Sequence, residues 1–108
     1  MIERVKIIVE VPESHASAVR KAMAEAGAGV IGNYTGCSFS VKGTGRFFPE
    51  KGATPAIGSV GKAEEVLEEQ IQMVCDRKLL KDVVIAIKKA HPYEEPGIAV
   101  FSLEELPR

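Results

Sequence analysis

Twice along this chain the hydrophobic pattern passes from a period of two to helical spacing, and that repetition constrains the fold more than any other feature. In the first flank Val5, Ile7, Val9 and Val11 alternate against Lys6, Ile8 and Glu10, a β-branched run that reads as a strand ended by Pro12. From Ser14 the apolar positions become Ala16, Val19, Ala22, Met23 and Ala26, which is a helix, with Gly27 and Gly29 as its stop. The last flank repeats the order. Leu67, Ile71, Met73 and Cys75 point one way, with Glu68, Gln70 and Gln72 the other. Asp76 then suits an N-cap, and Leu79, Leu80, Val83, Val84, Ile87 and Ala90 form one helical stripe. Lys88 and Lys89 complement the helix dipole, and His91-Pro92 ends the helix, because proline disfavours helix in the residue before it. Between the flanks Thr35, Cys37, Phe39 and Val41 alternate with Gly36, Ser38, Ser40 and Lys42 as a further strand.

The spacing predicts strands near residues 3–11, 35–42, 66–75 and 97–103, and helices near 14–26 and 77–90. Two β-α-β halves of this kind pack as an α+β, ferredoxin-like βαββαβ sandwich. Its sheet is antiparallel and four-stranded, in the order 4-1-3-2, with both helices on one face. At 108 residues and 11.6 kDa the chain holds one such domain.

Composition narrows the function classes. Fourteen Lys and Arg against fifteen Asp and Glu give a net charge of -1, which argues against a nucleic-acid binder. No apolar run approaches the roughly 18–20 residues of a membrane span. The opening Met1-Ile2-Glu3-Arg4-Val5-Lys6 lacks the apolar core of a leader, so a cytoplasmic location is expected. Two cysteines, Cys37 and Cys75, make neither a disulfide framework nor a Cys-rich zinc site. Both are expected to face the helix layer as small hydrophobes.

Nine of the ten glycines lie between Gly27 and Gly61, a stretch with only four charges, Lys42, Arg46, Glu50 and Lys51. Residues 43–62 show no period and read as a long Gly-rich loop, a length that is commonly functional or mobile. Within it, Gly43-Thr44-Gly45-Arg46-Phe47-Phe48-Pro49 could gather backbone N–H groups around an anion, with Arg46 pairing to it. Gly58-Ser59-Val60-Gly61-Lys62 resembles half a P-loop but has Ala56 where the first glycine belongs. A glycine-hinged loop accounts for both. The turn His91-Pro92-Tyr93-Glu94-Glu95-Pro96 combines an imidazole with two carboxylates. It could ligate a divalent cation such as zinc through His91, Glu94 and Glu95, with Tyr93 closing the pocket. The alternative is that His91 caps the second helix while the glutamates stay solvated. His15 has no partner at metal spacing, and no serine has the His or Asp arrangement of a nucleophile.

Taken in order, Gly32-Asn33-Tyr34-Thr35-Gly36-Cys37-Ser38-Phe39, the Gly43–Pro49 run, Gly52 with Pro55 and Gly58, and His91-Pro92-Tyr93-Glu94-Glu95-Pro96 resemble the PII-like, CutA-like insert of YqfO/Nif-three-like proteins, here standing alone. The likeness covers nearly the whole chain. It implies a ferredoxin-like fold that associates through its sheets, commonly as a trimer. PII proteins bind nucleotides and small effectors between subunits, and CutA proteins are associated with divalent-metal tolerance. No second His/Asp/Glu-rich segment is present, so the family's dinuclear-metal chemistry is not implied. The nucleotide-binding signature of PII proteins is likewise not evident.

The expected function is that of a small oligomeric binding or regulatory module without catalysis of its own. Its ligand residues are expected to be Tyr34, Arg46, Phe47 and Tyr93, with a divalent metal at His91, Glu94 and Glu95. The turns before the second and fourth strands are expected at one end of the sheet on opposite edges, roughly 14 Å apart. Tyr34 and the 91–95 turn would then meet across a subunit boundary. A homo-oligomer follows, trimer favoured over dimer, with the open sheet face around Ile8 covered by a neighbour. The alternative is a small metal-dependent enzyme using His91 with Glu94 or Glu95 as acid–base or metal-ligand groups.

Overall fold

The computed structural model describes residues 3–107; Met1 and Ile2, which open the segment read above as lacking a leader, lie outside it. The element order is β1 (Arg4–Pro12), α1 (Glu13–Glu25), β2 (Phe39–Phe47), β3 (Glu64–Asp76), a 3-10 turn (Arg77–Leu79), α2 (Leu80–Ala90) and β4 (Gly97–Ser102). The sheet order is β2-β3-β1-β4 and every pairing is antiparallel, which is the ferredoxin-like arrangement the periodicity predicts.

One face of the sheet carries the core. Val5, Ile7, Val9 and Val11 of β1 and Ile71, Met73 and Cys75 of β3 are buried against Ala16, Val19 and Met23 of α1 and Val83 and Ile87 of α2. Leu79, Leu80 and Ala90 pack at its margin, so the stripe read from spacing is the one that faces inward. Asp76 caps as expected, its Oδ1 accepting from the Lys78 amide at 3.0 Å.

The second strand departs from its expected place, starting at Phe39 and running on through the glycines to Phe47. Its register pairs Phe39 with Gln72, Val41 with Gln70 and Gly43 with Glu68. Paired residues share a face, so Phe39 and Val41 lie on the open side of the sheet, away from the helices. Cys37 precedes the strand and is half-buried; only Cys75 is in the core as expected. Residues 43–47 are strand rather than loop because β3 continues past the end of β1 and offers them a partner. Pro12, the last residue of β1, pairs with Glu68, so Glu64 to Leu67 pair with β2 alone. This overrun lengthens the molecule to 52 × 22 × 22 Å. Its radius of gyration of 15.0 Å exceeds the ~13 Å usual for a chain of this size.

The remaining loop, residues 48–63, closes on itself where the Gly61 amide donates to the Pro49 carbonyl at 2.9 Å. The Ala53 amide reaches the Glu50 carbonyl at 3.0 Å within it.

Candidate functional site

The antiparallel pairings decide which segments meet. β2 runs parallel to β1 and β4 runs antiparallel to it, so the segment before β2 and the turn before β4 lie at opposite ends of the sheet. The expected proximity of Tyr34 to the 91–95 turn is therefore corrected. Tyr34 sits in an isolated bridge with Ile31 at the far end and is 74% exposed. The 48–63 loop, by contrast, leaves β2 at the end of the sheet where the 91–96 turn lies. The Thr54 amide donates to Glu94 Oε1 at 3.0 Å, and the rings of Phe47 and Tyr93 meet edge to face at 5.6 Å.

Between these segments lies a cleft of about 740 Å³ on the open face of the sheet. Gly43 and Gly45 of β2, Glu68 and Gln70 of β3 and Glu10 of β1 form its floor, with the loop and the turn as walls. Its volume is in the usual range for small-molecule sites.

His91 anchors the turn wall. It is 5% exposed, and its amide continues α2 by donating to the Ile87 carbonyl at 2.8 Å. Its Nδ1 accepts from the Tyr93 amide at 3.1 Å, and its Nε2 lies 2.7 Å from the Glu10 carbonyl oxygen. An amide can only donate and a carbonyl can only accept, which fixes the neutral tautomer with hydrogen on Nε2. Burial pushes the imidazole pKa below its usual value, and His15 adds slightly to this. The Glu10 carbonyl and the Glu68 carboxylate pull the other way. Neither ring nitrogen is left for a metal or a substrate proton.

The metal expectation is revised accordingly. His91 does not join Glu94 and Glu95 in a ligand set, and no group of three His, Cys, Asp or Glu among the described residues is arranged to hold a metal ion. Glu94 and Glu95 border the cleft as exposed carboxylates. Arg46 also borders it, but its Nε is paired with Glu65 at 2.9 Å. No anion cradle forms around the glycines, which are extended strand. Of the expected ligand residues, Phe47 and Tyr93 come together, Arg46 borders the cleft from the helix side of β2, and Tyr34 lies at the far end.

Glu68 is the residue the linear pattern does not reveal. It is a carboxylate only 7% exposed, and the Tyr93 hydroxyl donates to its Oε2 at 2.7 Å. Burial raises the Tyr93 pKa, with the neighbouring Glu68 adding to it, so the phenol stays a donor. The side chain of Glu68 lies across Gly45, where a Cβ would overlap Oε1. Glycine in the strand is thus what admits the carboxylate. Gln70 donates from Nε2 to Glu10 Oε2 at 3.0 Å and holds the second floor carboxylate.

No protein-family model matches the chain. Among curated relatives, the "GTP cyclohydrolase 1 type 2 homolog" of Mycobacterium tuberculosis is 48% identical over 98 residues, covering 91% of this chain and 26% of that protein. The Bacillus subtilis protein of the same name is 42% identical over 102 residues, covering 94% of this chain and 27% of its own. The chain thus spans about a quarter of the length of the curated relatives it matches. A Bacillus cereus protein related to NIF3 superposes with a TM-score of 0.83 at 42% identity, over 96% of this chain and 26% of that one. The divalent cation tolerance protein CutA of Archaeoglobus fulgidus shares the fold at a TM-score of 0.71 and 19% identity, over 97% of this chain and 88% of that one. Over nearly its whole length, the chain is therefore similar to a segment of NIF3-related proteins, and it shares the fold of CutA.

Proposed function

We propose that the chain is a small cytoplasmic binding module, without catalysis of its own, that takes a small ligand in the cleft beside the 91–96 turn. The observation that carries this reading is the interlocking of Phe47, Glu68 and Tyr93. Three residues from remote stretches are held in fixed contact on one wall of a cleft of about 740 Å³. Such pre-ordering lowers the entropic cost of binding. The commitment of both His91 nitrogens leaves the acid–base alternative without its base.

The same open face supports self-association, as a trimer in our reading. Phe39, Val41 and Phe101 are exposed and lie on the side of the sheet away from the helices. A neighbouring sheet would cover them and bring a second subunit to the mouth of the cleft.

The test is a ligand-shift screen by 1H–15N NMR on the full chain, with nucleotides, amino acids, amines and divalent ions, alongside light scattering. Shifts centred on Gly45, Glu68 and Tyr93 are expected. Shifts centred elsewhere, or none across the panel, would refute the cleft as the site. A mass near 11.6 kDa at micromolar concentration would refute the oligomer.

A further inference from the structure

We infer that His91 is a proton-operated pin: taking up a proton releases the 91–96 turn, and with it the Tyr93 wall of the cleft. The residue joins three parts of the molecule at one point. Its backbone amide ends α2 by donating to the Ile87 carbonyl at 2.8 Å. Its ring Nε2 lies 2.7 Å from the Glu10 carbonyl oxygen of β1, and Nδ1 accepts from the Tyr93 amide at 3.1 Å. Tyr93 in turn donates its hydroxyl to Glu68 of β3 at 2.7 Å and sets its ring edge to face on Phe47 of β2. From the same turn Glu94 holds the Thr54 amide of the 48–63 loop at 3.0 Å. One imidazole thus stands at the root of the contacts that fix the turn against the sheet and the loop.

The neutral ring fits because it carries one donor and one acceptor, and its surroundings present one acceptor and one donor. A second proton removes the fit. An imidazolium has N–H on both nitrogens, so Nδ1–H would face the Tyr93 N–H across 3.1 Å. Turning the ring over does not help, since both of its nitrogens then donate. Pro92 has no N–H, so Tyr93 supplies the first amide of the turn. Moving that amide away means moving the residue that carries the phenol. At 5% exposure, His91 regains water only when the turn parts from it.

Every element packed on the ring contributes to its charge balance. Burial opposes the cation most; the Glu10 carbonyl of β1 and the Glu68 carboxylate of β3 favour it, and His15 of α1 opposes it slightly. The Glu10 carboxylate is bonded to Gln70 at 3.0 Å. Lys88 and Lys89 of α2 are exposed, as are Glu94 and Glu95 further along the turn. The balance holds the folded pKa below the usual value of about 6.5. In the released turn the ring is hydrated and returns to that value, so the released form binds the proton more readily. It therefore gains on the closed form as pH falls from about 6.5 through the folded pKa, by up to about tenfold per pH unit.

The test is a 1H–15N NMR titration of the full chain from about pH 7.5 to about pH 5, with long-range correlations reading the His91 ring nitrogens. At neutral pH, hydrogen is expected on Nε2 alone. The amides of Tyr93, Phe47, Glu68 and Thr54 should then shift on the ring's own midpoint, below about 6.5, while Ile31 and Tyr34 at the far end stay still. His91→Gln mimics the neutral ring at any pH, its amide oxygen accepting from Tyr93 and its NH2 donating to Glu10, so these shifts should vanish. His15→Gln should keep them. Shifts confined to Tyr93 would report the ring's charge without movement of the turn, and they overturn the inference. So does hydrogen on Nδ1 at neutral pH, or a ring that stays neutral down to the pH of unfolding. If His91→Gln folds and the shifts persist, they belong to the carboxylates and the pin is refuted; if it does not fold, the wild-type ring and amides decide alone. No ligand enters these readouts, so a cleft that binds nothing leaves the inference standing.

Discussion

The two halves of β3 place opposite kinds of residue inside. In the half paired with β1, Ile71, Met73 and Cys75 are buried under the helices. Where β3 passes the end of β1, Leu67 in the overrun is 68% exposed while Glu68, opposite Pro12, is 7% exposed. Leu67 is on the same side of the strand as Ile71, but neither helix reaches that far. Glu68 points to the open face, where Tyr93 and the glycine at position 45 close over it. Burial in this strand follows from what covers each face and not from residue type. The covered half carries the core, and the stretch at the end of β1 borders the cleft.

The sharpest way to break the comparison is to truncate one apolar residue in each half. Ile71→Ala opens a cavity in the core and should cost about 2–5 kcal/mol in chemical denaturation. Leu67→Ala, on the same side of the same strand, should stay within about 0.5 kcal/mol. Equal costs would mean that the overrun is covered in solution, as by a second subunit.

Next in size is Gly45→Ala, whose Cβ would overlap the Glu68 carboxylate. We expect a loss of about 1–3 kcal/mol, comparable to overpacking a core. Combined with Glu68→Ala, the cost should largely vanish, and a double-mutant cycle by urea unfolding measures that coupling. Additive costs would show that Gly45 serves the backbone alone.

Tyr93→Phe keeps the ring against Phe47 and removes the donor to Glu68. It should cost about 1 kcal/mol, and no loss in thermal unfolding would show that the carboxylate finds another partner.

The smallest effect is a pH dependence centred on His91. The folded state lowers the imidazole pKa, so the unfolded chain binds the proton more readily. The contribution is present above the unfolded value of about 6.5 and is lost as pH falls from there through the folded pKa. Urea midpoints should therefore drop across that window, and His91→Gln should flatten this part of the profile. An unaltered slope in the variant would assign the dependence to the carboxylates.

Much of the fold was legible because β1, α1 and α2 bury a single face against the core, and such elements carry their period in the sequence. The second strand was not, since Phe39 and Val41 lie on an open face and Gly43 and Gly45 read locally as hinges. His91 was legible as a helix terminus, while its sealed nitrogens were not: the Glu10 carbonyl that engages Nε2 is 81 positions away. Tyr34 was misplaced for a related reason, since strand direction fixes the end at which each turn lies.

The amino-acid sequence by itself determined β1, β3, the two helices and the inward faces of those helices. Those follow from hydrophobic period, and period is a local property. Only the tertiary structure decided that β3 outruns β1, that Glu68 is buried beneath Tyr93 across Gly45, and that the 48–63 loop meets the 91–96 turn. These depend on where chain ends fall when distant strands pair, a long-range relation with no imprint on any local stretch.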